Sequence, residues 1–368
     1  MARALTLEQW NRTLLARQHL LERVDDDVME VVDRLVGLQS QDPQAAFYGL
    51  ACRVQDFDPA DVDDLLIGRE LVRMTLQRGT VFLMDGLDAR WVRALVQPSI
   101  DAAAATNHGK KLRAATAAEI VDCAVELLTA TDEPVRGSTL RDALVQRWPD
   151  EPATDLAAVA RWRLPLVQTP PRGLWRASGA PAYRLLDDWI GPGEPAVTGD
   201  EARRDLVRLY LRGFGPATVN AVQTWSGLTG LGPLIAAMEA DWELVELTGP
   251  GGEKLYDLEG LPIASGDERA PVRCVAPYDN LLVANADRVR VADPGLYTAL
   301  ATPNGRFPGF VLVDGWLAAT WAPTKDGVTL TELRDLTSAE RSDVEREVSA
   351  VREMRAAATR RSEDCERR

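Results

Sequence analysis

Hydrophobic positions along the chain recur first at helical spacing and then in short strand-like runs, and this switch occurs three times. Between Asp27 and Leu38, residues Val28, Val31, Val32, Leu35 and Val36 mark one face of a helix. Pro43 opens a second helix through Phe47, Leu50 and Cys52. Asp58-Pro59, an N-cap residue followed by proline at the first helical position, starts a third through Leu65. Leu71–Leu76 and Thr80–Met84 then read as strands around a Gln77-Arg78-Gly79 turn. The second pass places helices at Ala117–Leu128, Leu140–Trp148 and Asp155–Leu164, with strands Leu166–Thr169 and Leu174–Ala177 around Pro170-Pro171-Arg172-Gly173. The third places helices at Arg203–Arg212, Pro216–Thr224 and Leu231–Ala240, with strands Trp242–Leu247 and Lys254–Leu258.

Three helices followed by a hairpin is the order of a winged helix, a unit that sets a helix into a nucleic-acid groove. After about residue 270 the pattern predicts strands at Val272–Ala276, Leu281–Ala284, Arg288–Val291, Phe310–Val313 and Leu317–Trp321. A last helix starts near Thr337, which has capping-box spacing to Glu340, and runs past Met354 into a polar, frayed tail at Arg360–Arg368. The expected class is mainly α with β-wings (α+β): three tandem winged-helix units, a C-terminal β-rich region and a terminal helix. Boundaries fall at 1–100, 101–190, 191–265 and 266–368.

Composition changes this picture by exclusion. With 46% hydrophobic and 27% charged residues, the 368-residue chain can bury real cores. No apolar run is long enough to span a bilayer, and the first residues lack a signal-peptide core, so a cytoplasmic, nucleoid-associated location is expected. Cys52, Cys123, Cys274 and Cys365 are widely spaced, which disfavours a disulfide framework or zinc knuckle. His19 and His108 are the only histidines, too few for a multi-histidine metal site. No phosphate-binding glycine loop is present. Four lysines stand against 38 arginines, and none lies in the first hundred residues, which disfavours Schiff-base chemistry there. The net charge of −14 argues against indiscriminate nucleic-acid binding, while arginine suits localised phosphate contacts.

Several short segments narrow the reading: Arg17-Gln18-His19-Leu20-Leu21, Leu35-Val36-Gly37-Leu38-Gln39-Ser40-Gln41-Asp42-Pro43, Arg78-Gly79-Thr80, Gly213-Phe214-Gly215-Pro216-Ala217, Trp225-Ser226-Gly227-Leu228, Tyr278-Asp279-Asn280-Leu281-Leu282 and Asp287-Arg288-Val289-Arg290. In that order, across nearly the whole chain, they resemble the bacterial AlkZ-like winged-helix DNA glycosylases. The resemblance implies three winged helices forming a concave DNA-binding surface, and excision of alkylated purines, including bulky adducts and interstrand crosslinks in some members. It places the family's catalytic Gln-x-Gln motif on Gln39 and Gln41. The chain departs from the pattern at Ser40, where a hydrophobic residue is usual, and at Phe82, where a histidine is expected. No histidine acid can then be assigned on that wing.

Glutamine neither donates nor accepts a proton at neutral pH, so the two amides cannot act as general acid or base. A purine alkylated at N7 or N3 does not need one, because it carries a positive charge and leaves neutral. The remaining task is to hold a water and to surround a developing oxocarbenium ion with aimed dipoles. Taken alone, Gln-x-Gln also reads as a solvated turn. Asp42, beside Pro43, reads as a helix N-cap or as a base. His19 reads as a surface or packing residue on an amphipathic helix, and His108 as a phosphate contact or a solvated loop residue. Arg78 and Arg172 sit on wing turns and are candidate DNA contacts, with solubility as the other reading. Arg288 and Arg290, two apart on a strand, would share a face, and with Asp279 and Asn280 they are placed at the DNA cleft by the resemblance.

The expected function is a monofunctional glycosylase acting as a monomer on alkylated purines in duplex DNA, without metal or organic cofactor and without a membrane partner. The alternatives are a non-catalytic winged-helix DNA-binding protein, such as a regulator or damage sensor, and a paralogue that neither binds nor cuts.

Overall fold

A computed structural model describes residues 3–300, 306–324 and 327–366, with side chains up to residue 357. The chain divides into two compact units, one of residues 1–62, 204–225 and 229–368 and the other of 63–203 and 226–228. Helices and β-sheets are mixed in both.

In the first unit, helix Leu7–Arg17 begins with a complete capping box between Thr6 and Gln9. Helices Val28–Arg34 and Ala45–Ala51 follow. Strand Arg3–Ala4 pairs parallel to Leu244–Thr248, which pairs antiparallel to Lys254–Leu258. A second sheet orders Arg273–Val275, Gly309–Val313, Trp316–Thr324 and Gly327–Glu332 as an antiparallel meander. Helix Ser338–Glu366 closes the chain, and the predicted Thr337–Glu340 box forms: Thr337 N donates to Glu340 Oε2 at 2.7 Å and Glu340 N donates to Thr337 Oγ1 at 3.2 Å. Of the tail expected to fray, residues to Glu366 are helical, and Arg367 and Arg368 lie outside the described residues.

In the second unit, strands run in the order Val81–Asp85, Leu71–Thr75, Leu166–Gln168, Ala182–Leu185, Val135–Arg136, all antiparallel. Helices Ala117–Thr129, Gly137–Arg147 and Ala153–Arg163 bury Ile120, Leu128, Leu140, Leu144, Leu156 and Val159 against one another. A helix the hydrophobic pattern did not single out, Gly86–Asn107, starts at Asp85, whose carboxylate accepts from Leu87 and Asp88 N–H. Among the described residues no helix is long and apolar enough to cross a membrane.

Several predicted elements differ from those observed. The return strand expected at Leu174–Ala177 forms instead at Ala182–Leu185. Two prolines lack a donor at the start of that excursion, and the Trp175 N–H goes to Asp63 Oδ1 at 2.7 Å rather than to a ladder. Leu281–Ala284 is a turn, not a strand, because Asp279 gathers it: Oδ1 accepts from Leu281 N at 2.9 Å and its carbonyl accepts from Val283 N at 2.9 Å. Arg288–Arg290 is a 3-10 turn, and just before it Asn285 Oδ1 accepts from Asp287 N at 3.0 Å. In both places a short polar side chain competes with the sheet for backbone donors. Helix Ala45–Ala51 starts two residues later than Asp42-Pro43 suggested; Asp42 Oδ1 accepts from Gln44 N at 2.9 Å in the preceding turn.

Candidate active site

Helix Val28–Arg34 ends in a paired C-terminal motif: Gly37 N donates to Val32 O at 2.9 Å and Val36 N to Asp33 O at 3.1 Å. That motif requires a left-handed residue, and here it is Val36 (φ 55), a β-branched side chain where glycine is usual. The chain leaves this turn as the two-residue strand Leu38–Gln39. Gln39 and Ser40 are buried, whereas Gln41 is exposed. The motif therefore does not present two equivalent amides on one face.

Gln39 lines a narrow cleft in the first unit whose cavity volume is about 10 Å³, the room of a single water molecule. Leu35, Gly37, Leu38 and Ala45 contribute to its lining, and so do Ala276, Pro277, Asp279 and Asn280. Gln18, Arg53 and Phe214 complete the lining. Segments far apart in sequence thus converge here, and most are segments that carried the family resemblance.

The glycines of Gly213-Phe214-Gly215 explain part of that convergence. A Cβ on Gly213 would run into the Arg34 carbonyl oxygen, and one on Gly215 would lie 2.5 Å from Leu211 O and 2.7 Å from Arg17 Nη1. Gln18 Nε2 donates to Gly213 O at 2.6 Å, and Trp10 Nε1 and Arg290 Nη1 both donate to Pro216 O, at 2.7 and 3.0 Å. Arg17 forks onto Asp257 at 2.6 and 2.7 Å. Larger residues in this loop would push Phe214 away from the cleft.

Beneath the cleft, Arg53 is fully buried and every nitrogen is engaged. Nη1 pairs with Asp279 Oδ2 at 2.9 Å and donates to Gly49 O at 2.8 Å; Nε and Nη2 donate to Gln18 O and Oε1 at 3.0 and 3.2 Å. Burial opposes the charge on Arg53, but Asp279 and the neighbouring Cys52 more than offset it, so its pKa lies above the usual arginine value. His19 lies just beyond helix Leu7–Arg17 with left-handed backbone (φ 54), not on a helix as expected. Burial, Arg34 and Arg53 lower its pKa, which favours the neutral ring.

The other candidates scatter. Arg290 is fully buried over the Trp10 ring at 5.3 Å, so it does not present a surface charge, and Arg288 lies over Tyr297 at 4.1 Å. The 3-10 geometry of this segment, not a strand, is why the two do not share a face. In the second unit, Arg78 is half-buried in a left-handed turn (φ 58) with its guanidinium 5.4 Å from the Phe82 ring, and Phe82 is fully buried. Arg172 Nη1 donates to Gly179 O at 2.8 Å within its own loop. His108 pairs with Asp155 at 2.6 Å and packs edge-on to Trp162, a structural role. No cluster of metal-binding side chains occurs among the described residues. Gln18 lay within a recognised segment, but Arg53 carried no sequence signal: beside Cys52 it reads as a polar helix-end residue.

The sequence pattern of the family described as DNA glycosylase AlkZ-like matches residues 32–354. The chain belongs to that family. It is therefore an enzyme, a DNA glycosylase, and its substrate is DNA. This AlkZ-like glycosylase is 25% identical over 355 residues to an interstrand DNA cross-link repair glycosylase of Streptomyces sahachiroi, covering 92% of this chain and 93% of that protein. Its fold is similar to the solved structure of the Streptomyces sahachiroi DNA glycosylase AlkZ, with a TM-score of 0.75 at 21% identity, over 96% of this chain and 97% of the other.

Proposed function

We propose that this enzyme excises purines alkylated at N7 or N3 from duplex DNA by hydrolysis of the N-glycosidic bond, with Gln39 and Gln41 as its catalytic residues. The observation that carries the reading is the burial of Gln39, a neutral amide, in the lining of a narrow cleft with room for a single water. The cationic base leaves without protonation, so the protein needs only to place the water and stabilise positive charge at C1′. Gln41, which is exposed, is assigned to the incoming sugar-phosphate rather than to the attacking water. Three winged-helix units, at 1–100, 101–190 and 191–265, present the DNA surface, and the monomer is the working form. Bulky adducts and crosslinks fall within this substrate class, and the Streptomyces relative's description as a cross-link repair glycosylase supports including them.

The test is to incubate the protein with duplexes carrying N7-methylguanine, a bulky N7 adduct or an N7-linked crosslink and to measure abasic sites. Release from at least one is expected; binding with no release from any contradicts the assignment.

Two further outcomes follow. Because no lysine lies within the first hundred residues, water is the nucleophile, and borohydride should trap no protein–DNA adduct. A trapped species would assign the reaction to an amine. Excision should also persist in EDTA; loss restored by a divalent cation would require a metal.

Arg78 and Arg172 are proposed phosphate contacts. Replacing either with alanine should lower the slope of log K against log salt by about 0.9 and weaken binding to damaged and undamaged duplex alike. An unchanged slope would assign both to packing within their turns.

A further inference from the structure

The cleft that Gln39 lines is organised around one buried charge. Arg53 cannot shed its proton and is fully enclosed, so it requires a counter-ion, which Asp279 supplies at 2.9 Å. The second Asp279 oxygen accepts from Leu281 N at 2.9 Å. Asp279 lines the cleft and is the obvious carboxylate to propose as a base, but both its oxygens are occupied. Protonating it would leave Arg53 with no compensating charge. Its role is instead to cap the turn that begins at residue 279 and so to fix the next residue, Asn280.

Asn280 is 5% exposed and lines the same cleft as Gln39. The backbone leading to it is left-handed at Tyr278 (φ 61), as it is at Val36 (φ 55) ahead of Gln39. Non-glycine residues persist in that conformation only where their surroundings over-determine it, and such positions gather at functional sites. Gln39 and Asn280, both neutral amides, thus line one narrow cleft, each a few residues beyond a left-handed residue, and the turn at Asn280 is clamped by a buried ion pair.

We propose that Asn280 is a catalytic residue acting with Gln39 on the reacting centre, and that Arg53 is a positioning residue that holds Asn280 through Asp279. This rests on the reading of the cleft as the reaction site. In the step concerned, the C1′–N bond breaks and its electron pair goes to the cationic purine, which leaves neutral. A water oxygen bonds to C1′, and the proton it then carries passes to solvent. The Asn280 amide, with a carbonyl and two N–H groups, holds that water and turns its dipole toward the sugar while staying uncharged.

The test uses the full-length protein and a duplex with a single N7-methylguanine, measuring single-turnover excision, duplex affinity and thermal melting. Asn280→Ala is expected to slow excision by about a hundredfold or more with affinity and melting unchanged. Combining it with Gln39→Ala should cost little beyond the worse single change, because groups acting as one unit are not additive. Arg53→Lys keeps the charge but loses the planar fork. It should lower the single-turnover rate more than tenfold at unchanged duplex affinity, even well below its melting temperature.

Should Asn280→Ala melt lower than wild type, Asn280→Ser replaces it, and the same loss is expected. Excision within threefold of wild type in the folded Asn280 variant, while Gln39→Ala is inactive, overturns this inference and leaves the cleft reading standing. Wild-type rates in both overturn the cleft reading itself. If Arg53→Lys slows excision only near its melting temperature, Arg53 is structural and not positioning.

Discussion

Replacing Gln39 with alanine should lower single-turnover excision by about a hundred- to a thousandfold, with little change in duplex affinity. The magnitude is that of removing one preorganised dipole from a reaction centre. The separation of rate from affinity follows from geometry: Gln39 is 7% exposed and faces the cleft, so it contributes little to the surface that meets the phosphates. The effect should lie in kcat, as expected for an interaction made chiefly in the transition state. Gln41→Ala should lose less, because that side chain is exposed where the strand has already ended. Equal losses at the two positions would mean that the Gln41 turn folds inward on DNA.

The second large effect is on stability. Asp257→Ala removes the partner of Arg17, whose guanidinium is forked onto the carboxylate with both groups almost fully enclosed. An uncompensated buried charge costs about 3–5 kcal/mol, and denaturant unfolding should report a loss of that size. The paired change Arg17→Met with Asp257→Leu should recover most of it, since apolar groups of similar volume can replace a buried ion pair with little net cost. Excision should suffer with stability, because Arg17 precedes Gln18, and Gln18 joins Gly213 to Arg53 beneath the cleft. A single variant as stable as wild type would show that solvent or a neighbouring group takes over the Arg17 charge.

Much of this was legible in the sequence, for identifiable reasons. Helices such as Ala117–Thr129 and hairpins such as Leu244–Leu258 follow from hydrophobic period and turn chemistry, both local properties. The segments around Gln39, Gly213 and Asp279 could be picked out, although not the fact that they meet. What failed was local structure set by side chains rather than by period. Asp279 and Asn285 draw backbone donors into turns where the apolar pattern alone reads as strand. Arg290 has the period of a surface strand residue, yet it is buried between Trp10 and Pro216. Arg53 was invisible because its function depends on an ion pair with a residue far along the chain. Burial of a charge is a tertiary property, and no local pattern announces it.

The central claim is that the leaving group's own positive charge replaces the acid the site lacks. The most direct measurement compares two duplexes that differ at one atom, one with N7-methylguanine and the other with its 7-deaza-7-methyl analogue, which has the same shape and no charge. The account predicts similar affinity for both and base release only from the first. Release from both at comparable rates would contradict it, and would require a proton donor, a role that Gln39 cannot fill.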